Sequence, residues 1–330
     1  MLLTITPNLC IERTVRLPQF TAGQVHRVAP EHLAVNVGGK GINVARVATK
    51  LSCASHALSW AGRRQKLWLE EELTREGITH QLIETEADTR ICLNVLAGED
   101  FTKTEIVKTE IVEAGSALSI EDGTHLLEAY AALLPQAEMI AICGSYPPSQ
   151  NPALNMHLGL LVQMAQHAGK RVLVDGKGKP FQLCLNSPTP PWAVKPNLEE
   201  AQELLNRAIE TPQDERRAVR DILKRGVEVV ILSCGARGAY WGTAEGMWFV
   251  QAPLVHEVSP VGSGDALVGA FCAKLLETND LLLAARWGVA AGTANATQSA
   301  SAFVGPQHIE PLLDEIKISA VELGLRAKKN

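Results

Sequence analysis

The sequence lacks the charge excess and the long apolar runs that mark two large classes of binding protein. Its formal net charge is −5, which gives no electrostatic footprint for nucleic acid or for an anionic membrane surface. No apolar run approaches the roughly 18–20 residues that a membrane-spanning helix needs. We therefore expect neither a nucleic acid nor a membrane as partner.

Cysteine pairs at metal-binding or redox spacing are also missing. The seven cysteines are odd in number, scattered, and never in CxxC spacing. This pattern argues against a disulfide framework or a zinc site and favours buried thiols in a reducing compartment. The first residues, "MLLTITPNLCIERT", carry no basic segment of the kind that opens a signal peptide. The expected location is the cytoplasm.

What the sequence does contain, from about residue 125 onward, is an alternation of two kinds of segment. Continuously apolar stretches such as "EMIAICGS", "RVLVDG" and "VEVVILSCG" are separated by amphipathic ones such as "HLLEAYAALLPQA" and "ERRAVRDILKRG". Such strands are typical of a parallel sheet that helices cover on both faces. We predict an α/β fold with a doubly wound, mainly parallel sheet, which binds ligands at the carboxyl ends of its strands.

The N-terminal third has a different pattern, because its polar and apolar residues alternate. This holds for "CIERTVRL", "RICLNVLAGED" and "KTEIVKTEIVEAG". A period of two indicates strands with one solvated face, hence a small antiparallel sheet. We expect this sheet, from about residues 10–34 and 88–115, to be a lid on a single domain spanning residues 1–330. The final "LRAKKN" is expected to be a solvated tail.

A glycine-rich turn, "VNVGGKGINVARV" at residues 35–47, precedes a predicted helix. Gly38 and Gly39 permit a close backbone approach, Lys40 adds a cation, and Asn43 adds an amide. The set suits a phosphorylated or polyhydroxylated ligand, but a tight strand–helix turn with an exposed lysine explains it as well. It matches neither a P-loop nor a dinucleotide fingerprint.

Two further breaks follow buried strands. "CGSYPPSQNP" places Ser145 at a strand's carboxyl end, where ligands bind in this class of fold. "LSCGARGAYW" supplies Ser233, Gly235 and Gly238, which would let a nucleotide lie against the backbone or simply form a hairpin turn. Taken alone, the first stretch is equally consistent with an ordinary turn, and the second indicates a hairpin.

The stretch "VKPNLEEAQEL" at residues 194–204 has a structural and a functional interpretation. Asn197 and Glu200 are spaced as a capping box at the start of a helix. The same Glu200 would also serve to hold a water-coordinated Mg²⁺ near phosphates.

The stretch "SPVGSGDALVGAF" at residues 259–271 places one acid, Asp265, among glycines at a predicted helix start. If Gly262, Ser263 and Gly264 present their N–H groups there, they form an anion hole for a transferring phosphoryl group. Asp265 would then accept the proton of an attacking hydroxyl. The alternative is a helix cap in a glycine turn.

These motifs occur together and in one order: GGKGxN, GSxPP, KPNxxE, SxGxxGA, and GSGDA before an apolar helix. The arrangement resembles the ribokinase-like PfkB family of carbohydrate kinases over essentially the whole chain. Within that family, "ITPNLCIERT", "TRICLNV" and "TEIVEAGSAL" are similar to the hexose-phosphate kinase branch, which includes 1-phosphofructokinase and tagatose-6-phosphate kinase.

The resemblance implies a role for each candidate residue. Asp265 would be the general base and residues 262–264 the anion hole. Arg90 would pair with the sugar phosphate through its planar fork. The other residues that would bind the sugar phosphate are Gly38, Gly39, Lys40, Asn43 and Ser145. Lys195, Asn197, Ser233, Gly235 and Gly238 would lie along ATP, Asn295 would lie near the adenine, and Glu200 would organise Mg²⁺.

Two departures from the family pattern bear on selectivity and ions. Glu12 stands where the family has an aspartate for a sugar hydroxyl, and it reaches about one methylene further, which could alter selectivity by roughly 1–3 kcal/mol. Ser259-Pro260 replaces the Asp-Thr that is common in the wider family. This change leaves open whether a monovalent cation binds near these residues.

The expected activity is ATP-dependent phosphorylation of a ketohexose phosphate to a bisphosphate, with 1-phosphofructokinase as first choice and a homodimer through the lid. The alternatives are tagatose-6-phosphate or 6-phosphofructokinase activity, a kinase of an unphosphorylated sugar or nucleoside, and a non-catalytic sugar-phosphate sensor.

Overall fold

The structure, a computed structural model, describes residues 1–98, 106–148 and 151–321. The strands are β1 Leu2–Thr6, β2 Cys10–Leu17, β3 Leu33–Gly38, β4 Ser55–Gly62, β5 His80–Thr85, β6 Arg90–Ala97, β7 Val107–Val112, β8 Met139–Cys143, β9 Arg171–Asp175, β10 Ala193–Val194, β11 Val229–Ser233, β12 Gly238–Gly242, β13 Met247–Gln251 and β14 Lys317–Val321.

The helices are α1 Lys40–Lys50, α2 Lys66–Arg75, α3 Ile120–Leu133, α4 Pro152–Asn155, α5 His157–His167, α6 Gly178–Leu185, α7 Leu198–Leu205, α8 Pro212–Leu223, α9 Ser263–Thr278, α10 Leu281–Ala296 and α11 Pro306–Ile309. Short 3₁₀ turns cover Pro30–His32, Leu134–Gln136, Gly235–Arg237 and Glu310–Glu315.

The large sheet has the strand order β14-β13-β12-β11-β10-β9-β8-β1-β4-β5. The ladders from β11 across to β5 are parallel, and the edge formed by β12, β13 and β14 is antiparallel. The predicted mainly parallel α/β fold is therefore confirmed. Because parallel strands end at one edge, the residues that follow β1, β8, β9, β10 and β11 lie along the same side of the molecule.

Helices cover both faces of this sheet, as continuously apolar strands require. One face packs against α3, α5, α6, α7 and α8. The other packs against α1, α9 and α10. The neighbouring strand residues Leu2 and Leu3 belong to opposite faces, and both are fully buried.

The small sheet has the order β3-β2-β6-β7. Its outer ladders, β2–β3 and β6–β7, are antiparallel, as the alternating pattern predicts. Its central ladder, β2–β6, is parallel. Periodicity could not predict this pairing, because it indicates the two faces of a strand but not the neighbouring strand. The even-numbered side chains on one face include Glu12, Asn94 and Glu110, while the odd-numbered face includes Leu33 and Ile111.

Two segments about which we made predictions lie outside the described residues. They are the C-terminal tail and the first residues of "KTEIVKTEIVEAG". Throughout the part of the chain that the structure describes, no helix combines the length and apolar composition needed to cross a membrane. All seven cysteines are unpaired, and five of them are buried, which agrees with the expectation of free thiols.

Candidate active site

The site is built around the first turn of α9. Gly262 is the N-cap residue of this helix and lies in the left-handed region at φ +78°. Because glycine has no side chain, no side-chain hydrogen bond caps the helix. The Ser263 N–H donates to the Pro260 carbonyl at 3.2 Å. In the described residues the N–H groups of Gly264 and Asp265 meet no acceptor, so they remain available to an anion at the helix N-terminus.

The carboxylate of Asp265 does not cap this helix, which removes the structural alternative weighed for it. It is buried, and its Oδ2 accepts a hydrogen bond from Asn43 Nδ2 at 2.8 Å. Burial raises the pKa of Asp265 to about 6, although Lys40, Asn43 and Lys195 act in the opposite direction. A carboxyl with a pKa near neutrality is suited to accept a proton.

The Asn43 amide is held by two protein side chains. Asn43 is nearly completely buried on α1, and its amide joins Asp265 to Arg46, whose Nη1 donates to Asn43 Oδ1 at 2.6 Å.

Lys40 begins α1 and lies within a cluster of alternating charges. Its ammonium is 3.1 Å from Asp175 Oδ1 and 3.7 Å from Glu200 Oε1. Lys195 Nζ lies 3.2 Å from the other oxygen of Asp175. Burial opposes the charge of Lys40, but the carboxylates of Asp175, Glu200 and Asp265 together raise its pKa. Burial likewise opposes the charge of Asp175, and the two lysines lower its pKa.

This cluster borders a cleft of about 500 Å³ that contains most of the predicted nucleotide residues. The predicted residues that line it are Lys40, Lys195, Asn197, Ser233, Gly235, Gly238, Gly262, Ser263, Gly264 and Asp265. Lys40 is thus found on the nucleotide side, not only on the sugar side where we placed it. Apolar residues, among them the highly exposed Leu254, complete the wall.

Asn197 and Glu200 form the predicted capping box, and the Mg²⁺ role of Glu200 stays a prediction. Asn197 caps α7, its Oδ1 accepting from the Glu200 N–H at 2.8 Å, and Glu200 Oε2 accepts from the Asn197 N–H at 2.9 Å. The second carboxylate oxygen of Glu200 is the one beside Lys40. No cluster of three metal-ligating side chains occurs in the described ranges. Mg²⁺ does not need one, because it binds through one or two carboxylates together with waters and phosphates.

Asn295 lies behind the cleft wall, next to the cleft-lining residues Thr293 and Ala296, and its place near the adenine stays a prediction. Its side chain is fully buried, and Nδ2 donates to the Val261 carbonyl at 2.7 Å and to Ser263 Oγ at 3.1 Å. Its Oδ1 accepts from the Ala302 N–H at 2.6 Å. The first two contacts hold the start of α9, and the third holds the segment at Ala302 that packs on Gly262, so Asn295 supports the anion site from behind.

Arg90 borders a second, smaller pocket of about 30 Å³ together with Asn8 and Ser116. Its Nε and Nη2 donate to the Asn8 carbonyl at 3.1 and 2.9 Å, and its Nη1 donates to the Glu113 carbonyl at 3.0 Å. Each Nη keeps a further N–H, so the guanidinium braces two loops and retains donors for a ligand. Ser145 Oγ is 3.4 Å from Asn8 Nδ2.

Glu12 is bound by protein groups on one oxygen. It is buried on β2, where its Oε1 accepts from Ser301 Oγ at 2.7 Å and from Asn94 Nδ2 at 3.1 Å. Burial raises the pKa of Glu12. The side chain therefore links the small sheet to the loop that packs on Gly262 through Oε1, and a role of Oε2 toward a sugar hydroxyl stays a prediction.

The two glycines before Lys40 are needed for close packing. A side chain on Gly38 would lie 3.0 Å from Glu12 Oε2. Gly39 has φ +117°, and a Cβ there would lie 2.7 Å from the Thr6 side chain. These glycines let β3 turn directly into α1 beside the end of β1.

Sequence reasoning assigned no role to several residues that the structure brings to the site. Asn8 follows β1 and Asp175 ends β9, so both stand at the carboxyl ends of parallel strands, a signal that could have selected them. Arg46 and Ser301 carried no such signal, because their importance depends on contacts that are distant in sequence.

The chain is similar to several proteins of known structure. A solved possible 1-phosphofructokinase of Thermotoga maritima superposes with a TM-score of 0.88 at 24% identity, covering 97% of this chain and 99% of that one. Phosphofructokinase-2 of Escherichia coli in complex with potassium gives a TM-score of 0.83 at 28% identity, covering 95% and 98%. The same E. coli enzyme in complex with fructose-6-phosphate gives 0.81 with the same identity and coverage.

Residues 6–307 match the family described as pfkB family carbohydrate kinase. This range contains every predicted site residue and all strands except β14 and most of β1. The enzyme is a phosphotransferase with a sugar hydroxyl as acceptor, and the chain belongs to the pfkB family of carbohydrate kinases.

Proposed function

We propose that this kinase transfers the γ-phosphoryl group of ATP to a ketohexose phosphate and forms a bisphosphate. The sugar phosphate that we propose as its preferred substrate is fructose 1-phosphate. The observation that carries the proposal is the pair formed by a buried Asp265 and the open N–H groups beside it, at the edge of a large cleft. Relatives of known fold are named as phosphofructokinases, which supports a phosphorylated acceptor.

In this proposal Asp265 accepts the proton of the sugar hydroxyl while the hydroxyl oxygen attacks the γ-phosphorus and ADP leaves. The N–H groups of Gly264 and Asp265 face the charge that develops on the transferring phosphoryl oxygens. The ammonium of Lys195 would add to this field, since a Cβ on Gly264 would lie only 3.1 Å from it.

ATP would lie along the cleft, against the backbone at Gly235 and Gly238 and beside Asn197 and Ser233. Glu200 would hold a hydrated Mg²⁺ through the carboxylate oxygen beside Lys40, and the ion would supply positive charge that offsets the charge of the phosphates. A monovalent cation beside Ser259-Pro260 stays a prediction, for which the potassium complex of E. coli phosphofructokinase-2 is the supporting parallel.

The phosphate of the acceptor would bind at the smaller pocket. Arg90 has N–H groups left for it, and Asn8 holds Ser145 at the same end of the sheet. A neutral sugar would make no use of the arginine's charge, which favours the phosphorylated acceptor over a free sugar or nucleoside.

We further propose that the chain works as one domain with the small sheet as its lid, dimerising through that sheet in the cytoplasm. The polar face of the lid carries Glu12 and contacts the loop beside the anion site through Ser301. The opposite face exposes Leu33, Val107 and Ile111, and a second copy of the chain would cover them. The unpaired thiols are in keeping with a reducing compartment.

The proposal is tested by the products of a substrate panel. The enzyme is incubated with ATP and Mg²⁺ plus fructose 1-phosphate, fructose 6-phosphate, tagatose 6-phosphate or unphosphorylated fructose, and products are identified by ³¹P NMR. We expect a bisphosphate from at least one sugar phosphate, at a kcat/KM well above that for fructose. Bisphosphate formation from none of the three, or a preference for fructose, would refute the phosphorylated acceptor.

A further inference from the structure

A buried arginine behind the site is used by no step of the proposed reaction. The side chain of Arg46, on α1, is 2% exposed, so its charge is out of water. Nε and Nη2 donate to the carboxylate of Glu76, and Nη2 also donates to the Val37 carbonyl at 2.7 Å. The guanidinium carbon lies 4.4 Å from the centre of the Phe303 ring. These contacts fix the guanidinium plane from three directions.

The remaining arm of the guanidinium points at the site. Nη1 donates to Asn43 Oδ1 at 2.6 Å, and Nδ2 of the same amide donates to Asp265 Oδ2 at 2.8 Å. An arginine can only donate hydrogen bonds, so the atom of Asn43 that faces it must be the oxygen. The amide nitrogen is then forced to face Asp265, and a carboxylate can accept from it.

We propose that Arg46 is a positioning residue, which holds the Asn43 amide in the one orientation that donates to Asp265 and so keeps the base aimed at the cleft. The proposal rests on the proposed function of Asp265 as the base. If the amide rotated by half a turn, two oxygens would face each other and Asp265 would swing away or take up a proton.

The other charges around Asp265 have ion-pair partners other than Arg46, which is paired with Glu76. They are Lys40 on α1, Asp175 at the end of β9 and Lys195 after β10, all of which act on the Asp265 carboxyl. A change in the titration of Asp265 that accompanies a change at Arg46 would therefore report the Asn43 hydrogen bond.

The test compares Arg46→Lys and Arg46→Met with the control Glu76→Gln. Glu76→Gln weakens the ion pair but leaves the bond from Arg46 to Asn43 in place. In Arg46→Lys the charge stays, and the ammonium is drawn to Glu76 away from the amide. We expect kcat in both Arg46 variants to fall about 10- to 100-fold, because displacing a catalytic group by about 1 Å can cost about 10²-fold. Glu76→Gln should stay within about twofold of the original enzyme.

A purely structural role would not move the titration of Asp265. We expect the acidic limb of kcat/KM to shift upward by about one pH unit in both Arg46 variants, since a charge-assisted hydrogen bond is lost. The ¹³C NMR titration of the Asp265 carboxyl, assigned by its absence in Asp265→Asn, should shift in the same direction. Arg46→Lys should recover the melting temperature lost in Arg46→Met but not the pKa.

Variants with lower melting temperatures but an unchanged Asp265 titration and a kcat within about twofold would overturn the positioning role. The carboxyl titration needs no turnover. An enzyme that phosphorylates no sugar would refute the proposed function, and the titration would still decide whether Arg46 controls the amide that holds Asp265.

Discussion

Asp265 carries its negative charge where the protein interior disfavours it. The nearby lysines and the Asn43 amide offset part of the cost of burial, but the pKa remains raised to about 6. The folded state therefore binds this proton more tightly than the unfolded chain does. The charged form destabilises the fold by roughly 3 kcal/mol at neutral pH, and this cost shrinks as the pH falls below about 6 and vanishes near the ordinary carboxyl pKa of about 4.

The activity should depend on pH through the same group. Only the deprotonated carboxylate can accept the hydroxyl proton, so we expect kcat/KM to fall tenfold per pH unit below about pH 6. The measurement is the initial rate of ADP release between pH 4.5 and 8 at saturating ATP, with circular dichroism to show that the protein stays folded. A flat profile down to pH 5 would contradict the assignment.

Individual residues also show which features of the site the sequence could predict and which it could not. The motifs located Asp265, Lys195 and Asn197 correctly at one cleft, because each follows a strand or begins a helix at the same edge of the sheet. The contacts of Asn295 could not be predicted, because its neighbours in sequence do not reveal that its amide is completely buried against Val261, Ser263 and Ala302.

At the scale of elements, the crossing of α1 and α9 sets the distance between Asn43 and Asp265. The helices touch at Gly269, where a Cβ would lie 2.7 Å from the Val44 carbonyl and 2.8 Å from Val47 Cβ. The atoms it would meet belong to backbone and to a branched side chain, so they cannot move aside without shifting α1.

Gly269→Ala should therefore separate the two helices. We expect a loss of about 1–3 kcal/mol in the free energy of unfolding and a clear fall in kcat, measured by urea denaturation and ADP release. The matched control is Gly159→Ala on α5, where a Cβ meets nothing within 4 Å. The control should gain about 0.5–1 kcal/mol and keep its activity. Equal behaviour of the two variants would show that the crossing does not matter.

The elements themselves were largely readable from the sequence. β2 was predicted over its whole length, Cys10–Leu17, because its residues alternate between a polar and an apolar face. The parallel pairing of β2 with β6 was not, since periodicity gives the faces of a strand but not its partner. The Glu12–Ser301 contact was invisible for the same reason, as it joins residues 289 positions apart.

At the scale of the whole molecule, the exposed apolar face of the small sheet is the feature that a monomer leaves unexplained. Leu33, Val107 and Ile111 are 45%, 65% and 57% exposed. They lie on the face opposite Glu12, so covering them would leave the polar face toward the site undisturbed.

Sedimentation equilibrium should therefore give twice the chain mass of 35.6 kDa. Ile111→Lys should shift the protein toward monomer, because a buried lysine without a partner is costly at an apolar interface. Val25→Lys is the control, since Val25 is 81% exposed and lies outside the sheet. A monomeric unmodified protein, or a dimer that survives Ile111→Lys unchanged, would refute dimerisation through this face.

The fold as a whole gathers residues from distant parts of the chain at one edge. Asn43, Asp175, Lys195 and Asp265 meet only because β9 and β10 end beside the first turns of α1 and α9. The proton transfer proposed for the cleft depends on the carboxylate of Asp265 at the centre of this arrangement.

The most direct test of that role is the activity of Asp265→Asn with the best sugar phosphate of the panel. The amide cannot accept the proton, so we predict a kcat lower by about 10²- to 10⁴-fold and an unchanged Kd for ATP measured by calorimetry. A kcat within about threefold of that of the original enzyme would contradict the assignment of Asp265 as the catalytic base.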